Sequence, residues 1–275
     1  VVILGAGASA ISCAKHYLRL GVSEENLLML DSKGILTNNR KERGEINEYK
    51  AEFARNVDDG DVGDALEGAD VFLGLSKGGL VSPKEIAKMN LMPLIFALAN
   101  PDPEITPEQV ATVRDDAIVA TGRSDYPNQI NNVLGFPYIF RGALDVRATE
   151  ITEGMKMAAT KAIAELAKEP VPDDVSMAYG GEQMSFGPEY IIPKPFDARV
   201  LIWEASAVAE AAVKEGVARV SSEDFDFSLY KDALESRLGL TRSIMRRVIN
   251  QAKRDPKKIV FCEGEDPTII KAASQ

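Results

Sequence analysis

The residues with the clearest chemical reading are Gly5-Ala6-Gly7-Ala8-Ser9-Ala10, a G-x-G-x-x-A string directly after the apolar run Val1-Val2-Ile3-Leu4. A strand before such a string and a helix after it is the setting in which it binds a dinucleotide. Gly5 permits a tight turn, Gly7 lets the backbone approach a pyrophosphate, and Ala10 lets the helix pack close to the sheet. The unpaired amides where the helix opens at Ala8, Ser9 and Ala10 then face the phosphates, helped by the helix dipole. Taken by itself, the string also fits a purely structural glycine turn.

Asp31 adds a second requirement. It ends the next apolar run, 21 residues beyond Ala10, where an acid can bond the adenosine ribose hydroxyls. It can equally be a turn residue of Asp31-Ser32-Lys33-Gly34. Asp31 would repel a 2′-phosphate, whereas Ser32 and Lys33 would hydrogen-bond and neutralise one. Arg40, Lys41 and Arg43 add positive charge nearby in sequence. On these residues alone, NAD and NADP are evenly matched.

Asn100, in Ala97-Leu98-Ala99-Asn100-Pro101, lies just past the apolar run Leu94–Ala97, and the pair Asn131-Asn132 lies beyond the run Ala117–Ala120. At the carboxyl ends of parallel strands they fall on the ligand edge of an open sheet. There a neutral amide can bond a carboxamide, a ribose or a carboxylate; ordinary turn chemistry explains either cluster as well. Gly74-Leu75-Ser76-Lys77-Gly78-Gly79 is a similar edge loop, with Lys77 read as solvated. The one histidine, His16, falls inside the first helix and is read as structural or exposed. No spacing of His, Cys or acidic residues reads as a metal site, and no nucleophile elbow or P-loop is present. No catalytic residue and no metal ligand is assigned.

The elements that must position these residues alternate over the first half. Strands are expected at Val1–Leu4, Leu27–Leu30, Val71–Leu73, Leu94–Ala97 and Ala117–Ala120, and helices at Ala8–Leu20, Pro83–Met89 and Pro107–Arg114. Ser82-Pro83-Lys84-Glu85 and Thr106-Pro107-Glu108-Gln109 each combine a hydroxyl cap, an early Pro and a Glu or Gln three residues later. Fully apolar strands alternating with helices predict an α/β, doubly wound (Rossmann-like), mostly parallel sheet. Apolar residues from Ile151 to Leu166 recur at helical spacing, Glu169 to Pro195 reads as irregular, and a helix is expected over Asp197–Glu215. A polar stretch, helices at Leu229–Leu238 and Arg242–Ala252, and a strand at Lys258–Phe261 complete the reading. With 275 residues, about two domains are expected.

A net charge of −10 disfavours nucleic acid or an anionic membrane as main partner. No apolar run approaches a membrane span. Two cysteines, Cys13 and Cys262, cannot build a disulfide framework, and the expected setting is reducing and cytoplasmic. Because the chain opens inside a buried-strand pattern and stops soon after another, it is expected to be a piece of a longer protein.

Together, Gly5–Ala10, Asp31-Ser32-Lys33-Gly34, Phe96–Pro101 and Asn131-Asn132 through Phe140-Arg141-Gly142 resemble the cofactor domain of malic enzymes. Pro101-Asp102-Pro103-Glu104-Ile105 and Ala120-Thr121-Gly122-Arg123-Ser124-Asp125-Tyr126-Pro127-Asn128-Gln129 are more specific and resemble the large bacterial, NADP-type enzymes. The string from Asp255 to Asp266 is similar to the start of the phosphate-acetyltransferase-like domain that those enzymes carry. The resemblance implies oxidative decarboxylation of (S)-malate to pyruvate and CO2 with NADPH formation, and assembly as a homo-oligomer. It also implies a Mg2+ or Mn2+ ion whose ligands, like the proton-transferring Lys and Tyr, belong to a preceding substrate domain. The residues carried over are Gly5, Gly7, Ala8, Ser9 and Ala10 at the phosphates, and Asp31, Ser32 and Lys33 at the ribose. Asn100 is carried over to the nicotinamide side and, with Asn132, to the substrate carboxylate. The Asp-Ser-Lys-Gly string tips the even cofactor reading towards NADP, with NAD as alternative. Residues 1–220 are expected to be the cofactor domain, 221–255 a helical linker and 256–275 the truncated start of the following domain. The 275 residues alone are expected to be inactive on malate. The competing readings are an amino-acid or methylene-tetrahydrofolate dehydrogenase, and a nucleotide-sensing module.

Overall fold

The computed structural model describes residues 1–221, 223, 225–238 and 251. The chain divides into two compact units, Val1–Ser222 and Glu223–Gln275.

The first unit is built on a six-stranded sheet of order β3-β2-β1-β4-β5-β6. Its strands are β1 Val2–Leu4, β2 Leu28–Asp31, β3 Gly34–Ile35, β4 Val71–Gly74, β5 Leu94–Ala97 and β6 Ile118–Thr121. All neighbours pair in parallel except β3, which turns back antiparallel onto β2 with Asp31 opposite Gly34. The doubly wound reading holds, and the strand order reverses between β1 and β4. A two-residue strand gives no periodic signal, which is why β3 escaped the sequence reading.

Side chains alternate between two cores. Val2, Leu4, Leu30, Phe72 and Ile95 point to one, where Leu66, Ile86, Ile105 and Val110 cover them. Ile3, Met29 and Leu73 point to the other, against Ala10, Ala14, Leu36 and Phe53. Burial on both faces explains why the strands read as continuous apolar runs. Each large side chain so buried contributes about 1.5–3 kcal/mol.

The helices are α1 Ala8–Arg19, α2 Asn38–Glu42, α3 Glu48–Ala51, α4 Val62–Leu66, α5 Pro83–Ile86 and α6 Pro107–Ala111. There follow α7 Phe136–Asp145, α8 Glu153–Lys168, α9 Asp173–Ala178, α10 Arg199–Lys214 and, in the second unit, α11 Phe227–Ser236. The expected caps form. The Gln109 amide donates to Thr106 Oγ1 at 3.3 Å and the Thr106 amide to Gln109 Oε1 at 3.0 Å, while the Ser82 amide donates to Glu85 Oε2 at 2.5 Å. Helices α2 to α4 are one-turn elements capped by Thr37, Asn47 and Asp61, too short to announce themselves. The stretch expected to be irregular contains α9, and α7 has no counterpart among the expected helices.

Helices α7, α8 and α10 form a layer around Leu134, Leu166 and Val200, with Trp203 and Tyr138 packed beside them. Gly142 lets α7 meet α10, since a Cβ there would lie 2.4 Å from the Ala205 carbonyl oxygen. Most of the helix expected over Arg242–Ala252, the Lys258–Phe261 strand and Cys262 lie outside the described residues.

Candidate functional site

Four loops leave the carboxyl ends of β1, β4, β5 and β6 on one edge of the sheet, and Asp31 ends β2 beside them. This is the edge, at a point where the strand order reverses, on which open α/β sheets bind ligands.

The two glycines of the first loop differ in purpose. Gly5 has φ +132°, and a Cβ there would sit 2.6 Å from the Leu75 carbonyl oxygen. Its bareness lets the β4 loop close against the β1 turn. Gly7 has φ −88°, an ordinary value, and nothing within 4 Å of a would-be Cβ. The space above it is open. Gly7 is also the N-cap of α1, with no side-chain cap and no acid in the first turn. The first amides of a helix have no partner within it, so those of Ala8, Ser9 and Ala10 face outward as anion donors. A pyrophosphate fits this cradle. Ala10 is buried against the sheet, whereas Ala8 and Ser9 are exposed.

At the end of β2, Asp31 is the centre of an ion-pair network. Its Oδ1 accepts the Lys33 amide and Arg40 Nη2, and its Oδ2 accepts Lys50 Nζ, each at 2.9 Å. Burial pushes this carboxyl up, but the Lys50, Lys33-amide and Arg40 hydrogen bonds, with the Lys50 charge, outweigh it and hold it below its ordinary value. The Arg40 side chain is only 3% exposed, and its Nη1 also donates to the Gly34 and Ile35 carbonyls at 2.9 Å. Arg40 is therefore no free surface charge, as its place in the sequence implied. Arg43 is likewise held, by Glu45 and Asp59. Ser32 and Lys33 are exposed, and among the described residues the Lys33 ammonium has no partner. Asp31 is thus paired with two cations, and the exposed Lys33 lies two residues on.

Asn100 follows β5 and Asn132 opens the short turn Asn132–Leu134 after β6. Both are exposed, and neither side chain has a hydrogen-bond partner among the described residues. Asn131 is occupied, its Oδ1 accepting the Val133 amide at 3.0 Å. Of the adjacent pair, Asn132 is the one whose side chain has no partner among the described residues.

Three residues that matter here were not singled out from sequence. Asn128, 1% exposed, donates to the Val119 and Pro188 carbonyls and accepts the Ile191 amide, bolting 188–191 to β6. Glu104 is fully buried in the loop after β5. Glu204 is fully buried on α10 with neither carboxyl oxygen partnered among the described residues, and burial pushes it up from 4.5 to about 8. Its position midway between Val200 and Val208, on one helical face, was the available sign. His16 binds Thr160 Oγ1 through Nε2 at 2.8 Å and ties α1 to α8. Lys77 is exposed. Among the described residues, no three His, Cys, Asp or Glu side chains gather where they could hold a metal ion, and no helix is long and apolar enough to cross a membrane.

Residues 1–178 match the family described as malic enzyme, NAD binding domain. The chain is 50% identical over 273 residues to an NADP-dependent malic enzyme of Rhizobium meliloti, covering 99% of this chain and 35% of that protein. An NAD-dependent malic enzyme of the same organism is 46% identical over 274 residues, with the same coverage. The chain thus spans about a third of the length of these relatives. The crystal structure of Entamoeba histolytica malic enzyme superposes with a TM-score of 0.74 at 34% identity, over 94% of this chain and 51% of that one.

Proposed function

Because the chain belongs to the malic enzyme family, through that family's NAD-binding domain, we propose that it is the cofactor-binding part of an NADP-dependent malic enzyme. That enzyme oxidises the C2 hydroxyl of (S)-malate to a carbonyl and releases the carboxylate β to it as CO2. The products are pyruvate and NADPH. When bound, the nicotinamide supplies the hydride acceptor.

The chain's own residues bind and orient. The outward amides at the start of α1, over the open space at Gly7, hold the pyrophosphate. This cradle is the observation that carries the reading. Asp31 receives the ribose, Ser32 and Lys33 the 2′-phosphate, Asn100 the nicotinamide side, and Asn132 with Asn100 the substrate carboxylate. NADP over NAD rests on the Asp31 charge being met by Arg40 and Lys50. The Mg2+ or Mn2+ ion in this reading has no ligand set among the described residues, so no step is routed through it.

In the same reading residues 1–220 are the cofactor domain, 221–255 a helical linker and 256–275 the start of a phosphate-acetyltransferase-like domain. A homo-oligomer in the cytoplasm completes it. The test is malate-dependent reduction of NADP+ by the whole protein that contains this chain, with Mg2+ or Mn2+ and with NAD+ as the competing cofactor. Preference for NADP+ is expected; reduction of NAD+ alone favours the NAD-linked enzyme, and reduction of neither overturns the assignment.

A further inference from the structure

We infer that Glu104 is a positioning residue, whose buried carboxylate ties the β4 and β5 loops together and so sets the nicotinamide end of the crevice. The inference rests on the cofactor reading above for what those loops bind.

Glu104 lies in the segment Pro101–Ile105 between β5 and α6 and is fully buried. A carboxylate taken out of water must be hydrogen-bonded to remain tolerable. Oε1 accepts the Ser76 amide at 2.9 Å and Oε2 accepts the Ala99 amide at 3.0 Å. Ser76 lies two residues past β4, and Ala99 immediately precedes Asn100. The loops leave neighbouring strands at one level, since Gly74 is in register with Ala97. One side chain thus fixes both loops, each oxygen serving one of them. Hydrogen bonds from amides to an ionised acceptor are about twice as strong as neutral ones.

The surroundings are shaped for it. A Cβ on Gly74 would fall 2.3 Å from Glu104 Cδ and 2.5 and 2.7 Å from its oxygens, so this glycine makes the room the carboxylate fills. The backbone around Glu104 is held too. The Val81 amide donates to the Glu104 carbonyl at 3.2 Å and the Gly79 amide to that of Pro103 at 3.1 Å, while Ile105 is fully buried. The loop amides therefore point inward to the carboxylate, while Ser76, Lys77 and Asn100 stay exposed on the outer side. Glu104 does not reach the ligand edge itself; it acts through the backbone that carries Asn100.

A residue of merely structural importance would weaken both halves of the cofactor site alike. The adenosine half, at Asp31 and Lys33, shares no hydrogen bond with Glu104. The test uses calorimetric titration of the whole protein with NADP+ and separately with 2′,5′-ADP, which carries only the adenosine half. Glu104→Gln sets an amide NH2 against one loop N–H and is expected to weaken NADP+ by about tenfold or more while 2′,5′-ADP stays within about twofold. Gly74→Ala, which presses a methyl onto the carboxylate, is expected to give the same split and serves if Glu104→Gln does not fold. Equal losses for both ligands, or no loss for either, overturn the inference and leave the cofactor reading standing. Wild-type protein that binds no NADP+ overturns both.

Discussion

The ligand edge of the sheet and the helical layer behind it each bury one glutamate completely, and the two side chains meet opposite fates. At the edge, both oxygens of Glu104 accept backbone amides. In the layer, both oxygens of Glu204 lack partners among the described residues, and desolvation pushes its carboxyl up to about 8. Burial is equal in the two places, so the partners make the difference. An unpartnered carboxyl in an apolar layer is pushed towards its protonated form, whereas at the edge two backbone amides meet the two buried oxygens of Glu104.

The largest effect expected is on stability against pH. The folded Glu204 carboxyl titrates near 8 and its unfolded counterpart near 4.5. The folded state therefore holds a proton that the unfolded chain releases in between. This contribution is fully present below about 4.5 and is lost as pH rises towards about 8. Between pH 5 and pH 8 the loss is on the order of 3 kcal/mol. Glu204→Leu should remove that part of the slope and raise the melting temperature most at the alkaline end. Parallel melting curves for the two proteins across this range would break the contrast.

Next in size is Glu104→Ala, which leaves the Ser76 and Ala99 amides without their acceptor and should cost about 2–3 kcal/mol. A chemical-denaturation midpoint unchanged from wild type would count against the clamp. Gly74→Ala should cost about 1–2 kcal/mol, because the new methyl pushes the buried carboxylate off its two amides. A loss in the double variant Gly74→Ala with Glu104→Ala smaller than the two single losses added together would show that the two positions interact. The smallest effect is at an exposed charge. Lys33→Ala should weaken NADP+ by about fivefold and NAD+ hardly at all, read by calorimetry; equal losses would remove Lys33 from the 2′-phosphate.

The comparison also marks what a sequence can disclose. The glycine turn, the strand runs and the capping boxes at Ser82 and Thr106 are local, so their patterns survive in one dimension. The Glu104 clamp spans 28 residues to Ser76 and five to Ala99, with backbone atoms as partners, and no spacing rule records a backbone amide. Asp31 looked exposed to argument because Arg40 and Lys50 reach it only through β3, α2 and α3, elements too short to read. Asn131 and Asn132 were legible as a pair, but which amide is spent on capping depends on the turn that follows.

The hold of Arg40 on β3 has a further consequence. β3 is an outer strand, and outer strands with free backbone groups invite pairing with another chain. Here both carbonyls of the strand are taken by one guanidinium, and the Ile35 amide donates to the Gly60 carbonyl at 2.9 Å. The border is only two residues long and its carbonyls are taken, so this side of the sheet offers little template for intermolecular growth.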